Sequence, residues 1–300
     1  MLNRLSKEGN GRHSLTALNR EQIPHSTILY NSKEILMPII TISRGSYYHG
    51  KSIAEKLAKR LGYRCISRDQ VIEDLEEFLL PEVTLVRGVH DTFSILERFP
   101  HGKTRIMTAL RSAILQHFLD SNIVYHGLGG HYFVKNIPHV LKVRIITDPK
   151  SRIETEMARQ NISEEDARII LQKDEEERSK WRMLLYGTDV VDSENYNMVI
   201  KVGHLDEEEV VDLIATAAAS PLFQETSESR KILADSALAA LVNRTLFDFP
   251  HASVSAKDSK VSINLKAPEN QHTIISTRIE EMIAHLPGVE NCEVNLEPYF

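Results

Sequence analysis

Eight consecutive residues carry the clearest chemistry in this chain. Gly45-Ser46-Tyr47-Tyr48-His49-Gly50-Lys51-Ser52 fits the pattern G-x-x-x-x-G-K-[ST]. The glycines let the backbone take positive φ and come close to a ligand. Successive N–H groups at a helix N-terminus then point at an anion. A lysine in the seventh position reaches the outer phosphates of a nucleotide, and a hydroxyl in the eighth can ligate Mg²⁺. All eight residues are candidate nucleotide contacts, Lys51 for the transferred group and Ser52 for the metal. ATP and Mg²⁺ are the ligands such a loop implies.

Two other clusters invite chemistry and do not carry it. Gly102-Lys103-Thr104 has the same ending, but Glu97 stands where the first glycine should be and no strand precedes it, so it reads as an ordinary loop. His49, His126 and His131 lack the spacing of a metal site and have no cysteine or carboxylate partners nearby in sequence.

A phosphate loop works only between a strand and a helix, and the flanking residues supply both. Pro38 to Ser43 is short, apolar and β-branched, as a buried strand should be. Ser52 to Leu61 places Ile53, Ala54, Leu57, Ala58 and Leu61 at helical spacing, and Gly62 ends the run. Further along, the pattern predicts strands at Cys65-Ile66, Asn122 to His126, Val140 to Thr147 and Tyr196 to Val202. It predicts helices over Arg68 to Leu80, Arg105 to Leu119, two within Ser151 to Leu185, and Asp206 to Ala219. Strands alternating with helices imply an α/β fold with a parallel sheet covered on both faces.

The 300 residues are enough for two domains. A net charge of -6 argues against general nucleic-acid binding, which needs a surplus of Lys and Arg. Two distant cysteines, Cys65 and Cys292, suggest no disulfide framework and a reducing compartment. With no apolar run long enough to span a bilayer and no secretory signal pattern, the expected location is the cytoplasm. Residues 1–36 read as a flexible extension, with Met37 as an alternative start. Residues 37–222 form the expected first domain, 223–229 a polar linker, and 230–300 a small αββαβ domain.

With the loop, Leu61-Gly62 and Arg68, the stretch from Pro38 to Ala219 resembles the cytidylate-kinase-like family of nucleoside monophosphate kinases. Ile123-Val124-Tyr125-His126-Gly127 resembles that family's strand and glycine turn. Arg152-Ile153-Glu154 through Arg159, Ile162 to Ala167, and Glu177-Arg178 resemble its lid, while Tyr186-Gly187 and Asp192 to Tyr196 resemble the lid exit. The resemblance implies that Arg68 holds the phosphate of an acceptor monophosphate, and that Arg152, Arg159 and Arg178 meet the donor phosphates when the lid closes. Arginines on a mobile lid suit a reaction made mainly of positioning and charge neutralisation. The competing reading is helix-surface pairing with glutamates three or four residues away. It is open for Arg152 and Arg159 and preferred for Arg168 and Arg182. Two positions depart from the family. Leu128 stands where an arginine usually binds substrate, leaving Arg68 and Arg144 as substitutes, and no acidic residue ends that strand, so Mg²⁺ would rest on Ser52, phosphates and water.

Residues 230–297 resemble a BON domain, through Leu241-Val242, Val254, Val261 to Leu265 and Leu286-Pro287-Gly288-Val289. That resemblance implies binding of a small ligand or a protein rather than catalysis. Two functions follow for the whole chain: a phosphotransferase acting on a nucleoside monophosphate, with cytidylate first, or a nucleotide-binding sensor that signals through its C-terminal module.

Overall fold

A computed structural model describes residues 38–44, 47–76, 101–127, 129–187, 193–203 and 205–299. The expectations for residues 1–36, Gly45, Ser46 and Leu128 lie outside these residues, as do the side chains of Tyr47 and Tyr48.

β1 (Ile39–Arg44) is the centre of the first sheet because its residues can be buried on both sides. Ile40 and Ile42 face one core and Ile39 the other. The remaining strands are β2 (Arg64–Ser67), β3 (Ile123–His126), β4 (Val140–Thr147) and β5 (Met198–Val202), in the order β2-β3-β1-β4-β5. All four neighbour pairs are parallel. On one face lie α1 (Tyr47–Leu61) and α7 (Glu207–Ala218), with Ile53, Leu57, Val210 and Ile214 fully buried. On the other lie α2 (Arg68–Glu76), α3 (Gly102–Phe118) and a one-turn helix α4 (Gly130–Phe133) that the sequence pattern does not predict. α5 (Pro149–Gln160) and α6 (Glu164–Tyr186) form an antiparallel pair between β4 and β5.

The helix ends follow short-range chemistry. Asp148 caps α5 through Ser151 N–H, and Ser163 caps α6 through Asp166 N–H. Asp206 and Glu209 form a capping box on α7. Two expectations shift. Gly102 to Thr104 form the first turn of α3 instead of a loop, with Arg105 N–H bonded to His101 C=O at 3.0 Å. α1 begins at Tyr47, five residues before the expected start. His49 and Ser52 are both tied to Glu207 on the neighbouring helix, which holds that extra turn.

The C-terminal residues contain α8 (Ser227–Thr245), β6 (Ser253–Lys257), β7 (Lys260–Lys266), α9 (His272–Ile283) and β8 (Asn291–Glu297). This is the expected αββαβ order. β6 and β7 are antiparallel and β7 and β8 parallel, so the second sheet is mixed. Asp258 and Ser259 both take positive φ in the two-residue hairpin turn. α8 serves two cores. Leu233, Ala237 and Ala240 are buried in the core beneath α3, whereas Val242 and Leu246 are buried with Val261, Ile263, Ile279 and Ile283. The segment before it is not solvated throughout. Glu225 is 1% exposed and accepts a hydrogen bond from Ser121 Oγ at 2.6 Å, and Arg230 donates to the same hydroxyl at 2.8 Å.

Candidate active site

Parallel strands deliver their C-terminal ends to one edge of the sheet, which is where α/β proteins bind ligands. β1 ends there with Ser43 and Arg44, β3 with His126, and Arg68 opens α2 directly after β2. Arg44 Nη1 donates to His126 Nδ1 at 3.1 Å. The side chain of Arg44 reaches that ring by crossing Gly50, where an added Cβ would fall 2.6 Å from Arg44 Cβ. The glycine demanded by the loop pattern is therefore also needed for the passage of Arg44. Arg68 lies against Gly127 just as closely, since a Cβ there would meet Arg68 Cβ at 2.8 Å. Arg68 shares part of its charge with Asp69, 3.1 Å away.

His126 records this accumulation of charge. Burial lowers its pKa, and the nearby Arg44 and Lys51 lower it further, to about 4. It is a neutral imidazole at physiological pH, so it adds no repulsion to the arginine it accepts from. Burial likewise raises the Tyr125 phenol, against the opposing influence of Arg68 and Arg44. Lys51 points to solvent, 46% exposed, and among the described residues reaches Glu55 at 3.7 Å. An exposed i,i+4 pair of this kind is weak, so the ammonium can leave it for a phosphate at little cost.

Ser52 is placed differently. Its hydroxyl donates to Glu207 Oε2 at 2.5 Å. His49 Nδ1 lies 3.1 Å from the other oxygen of Glu207, and Lys56 Nζ lies 3.0 Å from Oε2. Burial pushes the Glu207 carboxyl up, but hydrogen bonds from Ser52, Lys56 and His49 outweigh it and hold the pKa below the usual range. A hydroxyl beside an ionised carboxylate is a hard-oxygen donor set, which suits Mg²⁺. Sequence reasoning missed Glu207 because 155 residues separate it from Ser52.

The helical pair α5–α6 gathers a second set of cations. Arg178 Nη1 is 3.3 Å, Arg182 Nη1 3.1 Å and Arg152 Nη2 3.8 Å from Glu175. Their side chains are 14–18% exposed. Burial lowers the Arg178 pKa, countered in part by Asp174. Arg182, assigned to surface pairing by its sequence spacing, thus joins Arg152 and Arg178. Arg159 is turned onto Glu156 of its own helix at 2.6 Å, and Arg168 onto Glu164.

The histidines noted in the sequence stand in three separate settings, His49 on Glu207, His126 on Arg44, and His131 on Tyr196. Tyr196 Oη lies 3.1 Å from His131 Nε2 and donates to Ser43 Oγ at 3.2 Å. Arg144, one of the candidate substitutes for the missing arginine, sits over the Tyr196 ring at 5.7 Å. Burial, with Arg144 and Lys142 nearby, lowers the His131 pKa to about 4.

An uncharacterized protein from Eubacterium ventriosum aligns at 18% identity with a TM-score of 0.46, covering 61% of this chain and 98% of its own. A shikimate kinase from Bacteroides thetaiotaomicron aligns at 15% identity and a TM-score of 0.37, covering 60% and 98%. A dephospho-CoA kinase from Campylobacter jejuni aligns at 17% identity and a TM-score of 0.31, covering 60% and 96%. No curated protein sequence matches the chain. The model of the Cytidylate kinase-like family matches residues 39–204, more than half of the molecule and the whole of the first sheet, and the chain belongs to that family.

Proposed function

We propose that the protein transfers the γ-phosphoryl group of ATP to a nucleoside monophosphate, with cytidylate the first candidate acceptor. The observation that carries this reading is the set of cations at the sheet edge, with Arg44 hydrogen-bonded to His126, Arg68 packed against Gly127 and Lys51 near the same histidine. Phosphoryl transfer needs little covalent chemistry from the protein. It needs the donor and acceptor phosphates held in line and their charge neutralised. Lys51 serves the donor phosphates, and Arg68 with Arg44 serves the acceptor phosphate. Arg44 supplies a guanidinium that Leu128 cannot. Arg152 and Arg178, with Arg182, exchange Glu175 for donor phosphate when the helical pair closes, and Arg159 follows from Glu156. Mg²⁺ arriving with the nucleotide would be held by the Ser52 hydroxyl with Glu207 beside it, and supplies charge neutralisation between the phosphates.

The test is a coupled assay of purified protein with ATP, Mg²⁺ and a panel of monophosphates. Turnover on one of them, lost in Arg44→Ala with ATP affinity kept, is the expected result. Tight ATP binding with no turnover on any monophosphate would refute it and leave the sensor reading. One observation favours that second reading. α8 belongs to both cores, so nucleotide-dependent movement of the first sheet would reach the C-terminal sheet directly. In either case we read residues 230–300 as a BON-like regulatory or interaction module.

A further inference from the structure

We infer that the groove between α3, α4 and α8 is a second ligand site, built for a small phosphorylated molecule of the mononucleotide class. The groove measures about 560 Å³, inside the roughly 300–1,000 Å³ typical of small-molecule sites. Its walls come from both parts of the molecule, with Arg111 on α3, Tyr132 on α4, Lys135 and Asn136 just after it, and Asn243 on α8.

Charge identifies the ligand. Arg111 is half-buried, and burial lowers its pKa. The group that favours its charged form is the phenol of Tyr132. It has no ion-pair partner among the described residues. The half-buried arginines of α5 and α6 differ in that each faces Glu175. Among the described residues no aspartate or glutamate lines the groove, and its second cation, Lys135, adds to burial in lowering the pKa of Lys142. A half-buried guanidinium without a counter-charge costs free energy that a bound anion would recover. A planar fork and a flexible ammonium can hold a phosphate between them. The amides of Asn136, just after α4, and of Asn243, on α8, both line the groove and can bond the rest of the ligand. Tyr132, 42% exposed and edge-on to Phe133 at 5.8 Å, offers a face on which a base can stack.

Position makes the site regulatory. α4 presents Tyr132 to the groove and the adjacent His131 to Tyr196, whose hydroxyl also bonds Ser43, the residue before Arg44. A ligand that fixes Tyr132 also fixes α4, and with it the hydrogen bonds next to the catalytic edge. The other wall is α8, so occupancy also ties the C-terminal part to the first sheet.

The site is separable from the catalytic edge by calorimetric titration of the full-length protein with CMP, AMP and inorganic phosphate. In a Lys51→Ala, Arg68→Ala background, which removes a donor and an acceptor contact at the catalytic edge, one nucleotide should still bind, and Lys135→Glu should weaken it at least tenfold. Lys135 is exposed, so that variant should keep its fold. Arg111→Ala should do the same, and Arg111→Lys should restore part of the affinity. Binding of inorganic phosphate alone, with the same dependence on Lys135 and Arg111, would keep the anion site but overturn the nucleotide assignment. No binding in the Lys51→Ala, Arg68→Ala protein, or binding indifferent to both Lys135→Glu and Arg111→Ala, would overturn the site itself. Failure of the kinase assay would not affect these outcomes, because the groove shares no residue with the catalytic edge.

Discussion

At the edge of the first sheet, Arg44 and Lys51 act on a neutral histidine. On the α5–α6 pair, Arg152, Arg178 and Arg182 are gathered on one carboxylate, Glu175. The first arrangement leaves a positive field that a polyphosphate can satisfy directly. The second stores its cations on an internal anion and must release them before they meet a ligand. The difference teaches where reorganisation is needed. The sheet edge is set by strands locked in register, whereas the helical pair must exchange partners.

The largest expected effect breaks the first region. Lys51→Ala should lower kcat/KM by about two orders of magnitude or more, with an unchanged melting temperature, because Lys51 is exposed and weakly paired. Steady-state kinetics beside a thermal melt reads both, and full activity in the variant would remove Lys51 from the mechanism.

A smaller effect belongs to Glu207. Glu207→Gln keeps the shape but removes the charge beside Ser52. It should raise the Mg²⁺ concentration for half-maximal turnover by about tenfold while leaving the acceptor KM in place. A Mg²⁺ titration unaffected by the substitution would confine Glu207 to holding α1 against α7.

The second region is sharpened by Glu175→Gln. Without the carboxylate, the three arginines no longer have a partner to leave, so ATP affinity should rise several-fold. The half-exposed position of Glu175 limits the stability loss to about 1 kcal/mol. Unchanged ATP binding would mean that these arginines do not reach the donor.

A separate effect, on stability and not on turnover, is a pH dependence. His131 titrates near 6.5 in the unfolded chain but near 4 when folded. The unfolded chain therefore takes up a proton first as pH falls, and stability is lost between pH 6.5 and about 4. The folded state gives up about 2 kcal/mol by pH 5 through this residue. In His131→Gln, which cannot titrate, the fall in melting temperature between pH 7 and 5 should be shallower. An identical slope would show that the histidine is not carrying it.

Much of the frame was readable in the chain because it depends on near neighbours. The run Ile39 to Ile42 could only be a buried strand, and Ser163, Asp206 and the Asp258-Ser259 pair mark ends and turns through bonds within three residues. The αββαβ order of the last 70 or so residues follows from the same short-range patterns. The start of α1 was misplaced because the contact that holds its first turn comes from Glu207, on another helix.

The chain alone determined the alternation of strands and helices, the placing of Gly50-Lys51-Ser52 between β1 and the body of α1, and the supply of arginines, since each rests on spacing within one segment. Only the tertiary structure decided that Ser52 would face Glu207, that Arg44 would cross Gly50 to His126, and that Arg152 of α5 would join the Glu175 of α6. It also placed α8 in two cores and buried Glu225 near Ser121 and His139. These pairs are far apart in sequence or lie on different elements. They meet only after strand order and helix packing have been set, and no local periodicity encodes that meeting.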